Sequence, residues 1–260
     1  MKFLLCPPTH FRIASVDNPF MAGQTIDPER AIAQWMALRD AYASIGDVIL
    51  AEPQPDFPDQ VFTANPIIAG PPGSNVVVPA NMRYPQRRGE TERLLAALPG
   101  YDVRVPDTDA VFEGGGDLLW TPSGDLIAGH GPRTDLAAIE PVAACFGVKP
   151  LTVRLVTSEY YHLDTCLCIL DDERALWVPD AFDDASQQAL GERFTLFDVS
   201  NEGMDFAGNA HCPDGKHVLI DANCTKTMDL LRSEGFAPVP LDTSEFRKSG
   251  GSVYCMKHVV

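Results

Sequence analysis

The chain repeats one unit, and that repetition limits its fold more than any single motif does. Segments 75–78, 124–129, 174–178 and 217–220 are rich in β-branched and aromatic residues and read as strands. Each leads into a helix candidate, at 85–98, 133–146, 186–191 and 223–234. Each helix leads into a further strand, at 101–105, 151–156, 194–199 and 237–241. A preceding strand is expected at 61–63, 117–120, 165–170 and 206–210. Strand, strand, helix and strand therefore recur at a spacing of roughly 45 residues.

Residues 3–6, 27–43 and 48–52 supply a partial further copy, strand–helix–strand, without a leading strand. Its helix is well marked. Asp27 is placed to cap it, Pro28 to take the first helical position, and Ile32, Trp35, Met36 and Leu38–Arg39 to form its apolar stripe. Segment 252–259 is a strand with no unit of its own, and pairing it with the first strand fills the missing place. The chain ends then close a ring, which leaves few free edges and makes residues 1–260 one domain.

A net charge of −16 opposes binding to nucleic acid or to an anionic membrane, both of which need basic surfaces. It does not forbid an anionic small molecule held by a local arginine. No apolar run reaches the about 18 residues of a spanning helix. The opening Met1-Lys2-Phe3-Leu4-Leu5-Cys6, stopped by Pro7 and Pro8, is too short for a secretory leader and reads as a first strand. Seven cysteines, an odd number in a long chain, fit a reducing cytoplasm better than a disulfide framework. Cys166 and Cys168 alternate onto one strand face, yet no second pair stands at zinc-finger spacing, and His211, Cys212 and His217 add little. The expectation is a site with no metal and no cofactor, acting on a small molecule; a homo-oligomer stays open as the assembly.

In such a ring the segments around the first strands converge on the centre, and the chemistry-bearing residues fall there. Cys255 follows the turn Ser249-Gly250-Gly251, so its thiol is either aimed into a pocket or buried as a core side chain on a closing strand. His162 and Asp164 face the same way if their segment is a strand, as an acid–base pair or as plain polar alternation. Glu113 precedes three glycines, but no lysine and hydroxyl follow them as in a phosphate loop. The glycines let the backbone pass close to a ligand or another strand, which leaves Glu113 and Asp117 either for a cationic ligand or for solvent. Asn65 and Asn18 stand before prolines, as turn residues or as uncharged polar groups of a site. Arg133 opens a helix candidate, where its charge opposes the dipole; it is a surface residue or a partner for an anionic group. Together these residues suit a molecule that is cationic at one end and anionic at the other. Paired acids hold a planar guanidinium, and a thiolate attacks its carbon.

The stretches Phe62-Thr63-Ala64-Asn65-Pro66, Phe112-Glu113-Gly114-Gly115-Gly116-Asp117, His162-Leu163-Asp164-Thr165 and Gly250-Gly251-Ser252-Val253-Tyr254-Cys255 span most of the chain. In this order they resemble the guanidino-group-modifying superfamily of arginine deiminases, dimethylarginine dimethylaminohydrolases, amidinotransferases and arginine dihydrolases. The resemblance implies a five-bladed pseudo-symmetric α/β-propeller, or pentein, built of ββαβ modules. It implies Cys255 as nucleophile, His162 as general acid–base, Glu113 and Asp164 as guanidinium binders and Arg133 at the substrate α-carboxylate. Asn65, Asn18 and Phe62 complete the implied substrate site.

Deiminases usually carry Asp where this chain has Asn65. The opening Cys6-Pro7-Pro8-Thr9-His10-Phe11 with Asn18-Pro19-Phe20-Met21 is similar to that of arginine dihydrolases, from which Asp17 and Phe20 depart. The expected reaction is hydrolysis of arginine to ornithine, carbon dioxide and ammonia through a thiouronium on Cys255. The alternatives are a one-step deiminase or dimethylargininase that stops at citrulline, and a non-catalytic arginine-binding module.

Overall fold

Helix α1 (Pro28–Ala43) starts where its capping signals put it. The Asp27 carboxylate accepts from the backbone N–H groups of Glu29 and Arg30, both at 3.1 Å, satisfying donors that a helix start leaves orphaned. Its buried side differs from the expected stripe. Ala31, Gln34, Trp35, Leu38 and Tyr42 face inward, whereas Ile32 and Met36 are each 44% exposed. Gln34 and Tyr42 take the inner face because their polar ends find buried partners. Gln34 bonds Ser244 Oγ and the Glu245 N–H, and Tyr42 Oη lies 3.1 Å from His211 Nδ1.

This computed structural model describes residues 1–260, and its strands form five small sheets. Strands β1 (Lys2–Leu5) and β2 (Asp47–Leu50) are parallel and joined through α1. The next unit runs β3 (Ile67–Ala69), β4 (Val76–Pro79), α2 (Glu90–Ala96) and β5 (Asp102–Val103). A one-turn helix α3 (Gly114–Asp117) precedes β6 (Leu118–Trp120), β7 (Leu126–His130), α4 (Leu136–Ala144) and β8 (Leu151–Arg154). Then follow β9 (Leu167–Ile169), β10 (Arg174–Trp177), α5 (Asp184–Arg193) and β11 (Thr195–Asp198). The last unit is β12 (His217–Asp221), α6 (Thr225–Ser233) and β13 (Ala237–Leu241), followed by a short α7 (Ser244–Arg247). Every strand pair bridged by a helix is parallel, and β3–β4, β6–β7 and β9–β10 are antiparallel hairpins. The chain ends meet: β14 (His258–Val259) lies antiparallel to β1, with Phe3 opposite Val259 and Leu4 opposite His258. No helix is long and apolar enough to cross a membrane.

The departures from the expected elements concentrate in the lead-in segments. Residues 61–63 form a turn and the strand begins at Ile67. Segment 206–210 is not a strand: Phe206 sits at φ 64° between two 3₁₀ turns, so on its antiparallel side β12 keeps only a single bridge, His211 to Leu219, while it pairs fully with β13 on the other. His162 precedes a 3₁₀ turn (Leu163–Thr165) rather than lying in β9, and only His258–Val259 of segment 252–259 is strand. Residues 85–98 split into a 3₁₀ turn and α2, and α4 begins three residues after Arg133. These segments turn because their polar side chains bond across the molecule instead of extending in a ladder.

The glycine run after Glu113 follows the same logic. Gly114 has φ 33°, and a Cβ there would strike the Ile67 carbonyl. A Cβ on Gly116 would strike the Asn65 amide and sit 3.3 Å from the His162 ring. Glycine here brings the 113–117 backbone against the loop that carries Asn65.

Candidate active site

The lead-in segments bring Asn18, Phe62, Asn65, Arg133, His162 and Cys255 to the walls of one pocket. Cys255 lies in a turn, 4% exposed, and is held from two sides. Its Sγ–H donates to Asp164 Oδ2 at 3.3 Å, and Asn209 Nδ2 donates to Sγ at 3.2 Å. Burial, with Asp164 beside it, pushes the thiol pKa well up. Burial also raises Asp164 to about 7, against the hydrogen bonds from Cys255 and Asn209. The empty site therefore keeps the thiol protonated. A cation arriving over it would oppose both effects; Asp164 itself lies off the pocket wall, its Oδ1 buried without a partner.

His162 is fixed through both nitrogens. Nε2 lies 2.6 Å from Glu113 Oε2. Burial pushes Glu113 up, but the hydrogen bond and charge of His162, with Arg133 and Arg87, outweigh it and hold the carboxyl at about 2. Glu113 is thus ionised and only accepts, so Nε2 carries hydrogen. On the other side Asn65 Nδ2 lies 3.4 Å from His162 Nδ1. Arg87 only donates, and its Nη1 bonds Asn65 Oδ1 at 3.3 Å, which turns the Asn65 amide group toward the imidazole. Nδ1 is therefore the nitrogen left to exchange a proton with a bound molecule.

Glu113 and Arg133 are paired with each other. Glu113 was expected to bind a guanidinium, but it is fully committed. Oε2 takes His162 and the Arg133 Nη1 at 3.0 Å, and Oε1 accepts from the Arg83 N–H at 3.1 Å. It stands behind His162, off the pocket wall. Arg133 was expected in a helix; it stands before the cap of α4 and pairs with Glu113. Its guanidinium is stacked between Tyr84 and Tyr161, at 4.7 and 4.5 Å, and one edge still faces the pocket. Asn18 is tied at both ends: Nδ2 to the Ser249 carbonyl and Oδ1 to the Phe20 N–H. Phe62 packs edge-on against Phe11 and Phe246, shaping the apolar wall. Cys166 and Cys168 belong to the largest apolar cluster, away from this pocket.

The profile described as "N,N dimethylarginine dimethylhydrolase, eukaryotic" matches residues 8–259. The chain belongs to the dimethylarginine dimethylaminohydrolase family. A dimethylarginine dimethylaminohydrolase of Mycobacterium tuberculosis is 36% identical over 258 residues, covering 98% of this chain and 84% of that protein. The bifunctional arginine dihydrolase/ornithine cyclodeaminase ArgZ of Synechocystis is 31% identical, covering 98% of this chain but 37% of that longer protein. The crystal structure of the ArgZ N-terminal domain, covalently bonded to a reaction intermediate, superposes with a TM-score of 0.93 at 30% identity, over 99% of this chain and 96% of that one. The family and these relatives are hydrolases acting on guanidino C–N bonds.

Sequence reasoning did not single out several residues that organise this family member's pocket. Asn209, with no exposure, donates to the Asp164 carbonyl at 2.7 Å and accepts from the Ser252 N–H at 3.0 Å, besides holding Cys255. Its stretch, Phe206-Ala207-Gly208-Asn209, was legible as central, but nothing in it announced the partners. Asp59 lines the pocket with a buried, unpartnered Oδ1. Arg87, in an ordinary-looking charged segment, forms a buried pair with Glu90 at 2.8 Å. Asn209→Ala removes four hydrogen bonds at once. It is expected to cost about 2–4 kcal/mol in urea denaturation and to lower kcat by roughly 100-fold, since thiol and Asp164 lose their shared brace. Wild-type stability and rate in this variant would contradict the assignment.

Proposed function

We propose that this protein hydrolyses the guanidino group of arginine on Cys255, and that it carries the reaction through two hydrolyses as an arginine dihydrolase. The observation that carries this reading is the neutral Asn65 amide, held by Arg87 and directed at His162, where an acid would favour only cationic substrates. An amide donates equally well to a ureido oxygen, so the product of the first hydrolysis can be bound for the second.

The substrate guanidinium lies over Cys255 with one edge toward Asp164 Oδ1, and its α-carboxylate meets Arg133. The α-ammonium is given to Asp59, whose unpartnered oxygen is the one free acid of the pocket wall. The cation favours the thiolate: the Sγ proton passes to His162 Nδ1, and Sγ bonds to the guanidinium carbon. His162 Nδ1 returns that proton to one nitrogen as its C–N bond breaks, releasing ammonia and leaving a thiouronium. His162 Nδ1 then takes a proton from water, whose oxygen bonds to the carbon as the C–S bond breaks. Repetition on the ureido group consumes a second water and yields ornithine, carbon dioxide and a second ammonia. Residues 1–260 act in this reading as one catalytic unit, the five sheets being blades of a ββαβ ring closed by β14 on β1. Seven thiols without a disulfide fit a cytoplasmic enzyme.

A second reading, one-step release of citrulline as by a dimethylargininase, is favoured by the 36% identity to the mycobacterial enzyme. Mass spectrometry of products from purified protein with arginine, and separately with dimethylarginine, divides the two. Ornithine with two ammonia per arginine is expected. Citrulline with one ammonia overturns the dihydrolase and keeps the cysteine chemistry; no product from either substrate overturns both.

A further inference from the structure

A second cavity, about 850 Å³, lies on the reverse side of the segment that carries Cys255. It shares no lining residue with the reacting pocket. The partition is thin: Cys255 faces one side, while its neighbours Tyr254 and Lys257 face the other. Trp120, Tyr101, Ile169, Pro72 and Pro213 supply flat apolar wall. At the floor stands Lys257, 2% exposed, its Nζ over the Tyr254 ring. Nζ has no hydrogen-bond acceptor and no ion pair anywhere in the protein.

The charge lining is the decisive feature. This chain carries 36 acidic side chains against 20 basic ones, yet no Asp or Glu side chain lines the cavity, where Met1 and Val260 also stand. Lys2, His211 and His258 join Lys257 there. The two imidazoles are already engaged: His258 Nε2 accepts from the Ala69 N–H at 2.9 Å, and His211 Nδ1 meets Tyr42 Oη at 3.1 Å. Burial pushes the Lys257 amine well down, against the weaker opposing influence of Asp164 and of the Cys255 and Cys168 thiols. Asp164 acts on this amine only from a distance, with no hydrogen bond or ion pair between them, so a buried amine facing open space leaves a place for an anion from outside. One amine, with no arginine cluster and no helix start beside it, suits a single negative charge better than a phosphate. The volume and apolar walls suit a drug-sized flat body.

The geometry points to a second ligand site here, for a small monoanionic acid with a flat apolar body, its acid group on Lys257 and its body against Trp120 and Tyr254. The site shares no lining residue with the pocket of Cys255, so its occupant does not compete with arginine for space.

The test uses two fluorescent probes on the full chain. One is 8-anilinonaphthalene-1-sulfonate, a flat monoanion; the other is N-phenyl-1-naphthylamine, the same body without the charge. The wild type is expected to bind one sulfonate per chain at least about tenfold tighter than the neutral probe. Lys257→Met, which keeps an apolar side chain of similar length, is expected to lose that tenfold preference. Saturating arginine on the Cys255→Ser protein is expected to leave sulfonate binding unchanged. Equal affinity for both probes in the wild type overturns the proposal, and that comparison needs no variant to fold. An undiminished preference in a folded Lys257→Met protein, or displacement of the probe by arginine, overturns it as well.

Discussion

Cys255→Ser is expected to lower turnover of arginine by at least about 10⁴-fold while leaving thermal stability near that of the wild type. The sulfur is the only strong nucleophile on the pocket wall; the remaining polar groups there are acids, amides, hydroxyls, arginines and His162. A serine hydroxyl is nearly isosteric and keeps both contacts: it donates to Asp164 and accepts from Asn209, as the thiol does. The fold therefore loses little. The chemistry loses its nucleophile, because a hydroxyl beside Asp164 is far harder to ionise than a thiol already held well above its ordinary pKa. The variant should still bind arginine, which calorimetry measures directly. Turnover within tenfold of the wild type would remove Cys255 from the mechanism. Lost arginine binding together with lost stability would mean that the thiol serves the core rather than the reaction.

The same buried thiol explains what could and could not be read from the sequence. The repeated strand–helix–strand unit was legible because its signals are local: β-branched runs, a capped helix at Asp27, and turns between them. Strand 237–241 and helix α1 fall within a residue of their expected limits. Lead-in segments 117–120 and 165–170 hold β6 and β9 as expected, but 61–63 and 206–210 were misread as strands because their conformation is set from far away. Asn209 turns the chain toward partners 45 and 46 residues distant, and Asp117 does so through the Leu163 N–H, 46 residues on. Such bonds leave no period in the sequence. The four motif stretches did point to one place, since each contains a residue that meets the others near the pocket. Their pairing was not legible. Two acids and an arginine read equally well as ligands for substrate or as ligands for one another, and only the geometry shows that Glu113 is spent on Arg133 and His162.

That pairing makes Glu113→Gln the more revealing substitution. The glutamine keeps the size but removes the charge that offsets Arg133, itself only 5% exposed, and leaves that guanidinium without its partner. Breaking one member out of a buried pair costs about 3–5 kcal/mol. Removing the anion behind His162 also releases the imidazole from its single tautomer, and a kcat loss of roughly 10³-fold is expected by analogy with other oriented histidines. The pH dependence identifies the cause. Glu113 is held at about 2 in the folded protein against 4.5 for an unperturbed carboxyl, so its folded pKa is depressed. Its contribution is fully present above pH 4.5 and is lost as the pH falls toward 2. Asp117 and Asp164, raised by burial to about 6 and 7, act in the opposite sense, but they are common to both proteins and largely cancel in the difference. The stability gap between wild type and Glu113→Gln, from urea titrations, should therefore narrow by about 2 kcal/mol between pH 5 and pH 3. A gap that stays constant across that range would show that Glu113 is not the ionised centre holding His162 and Arg133 in place.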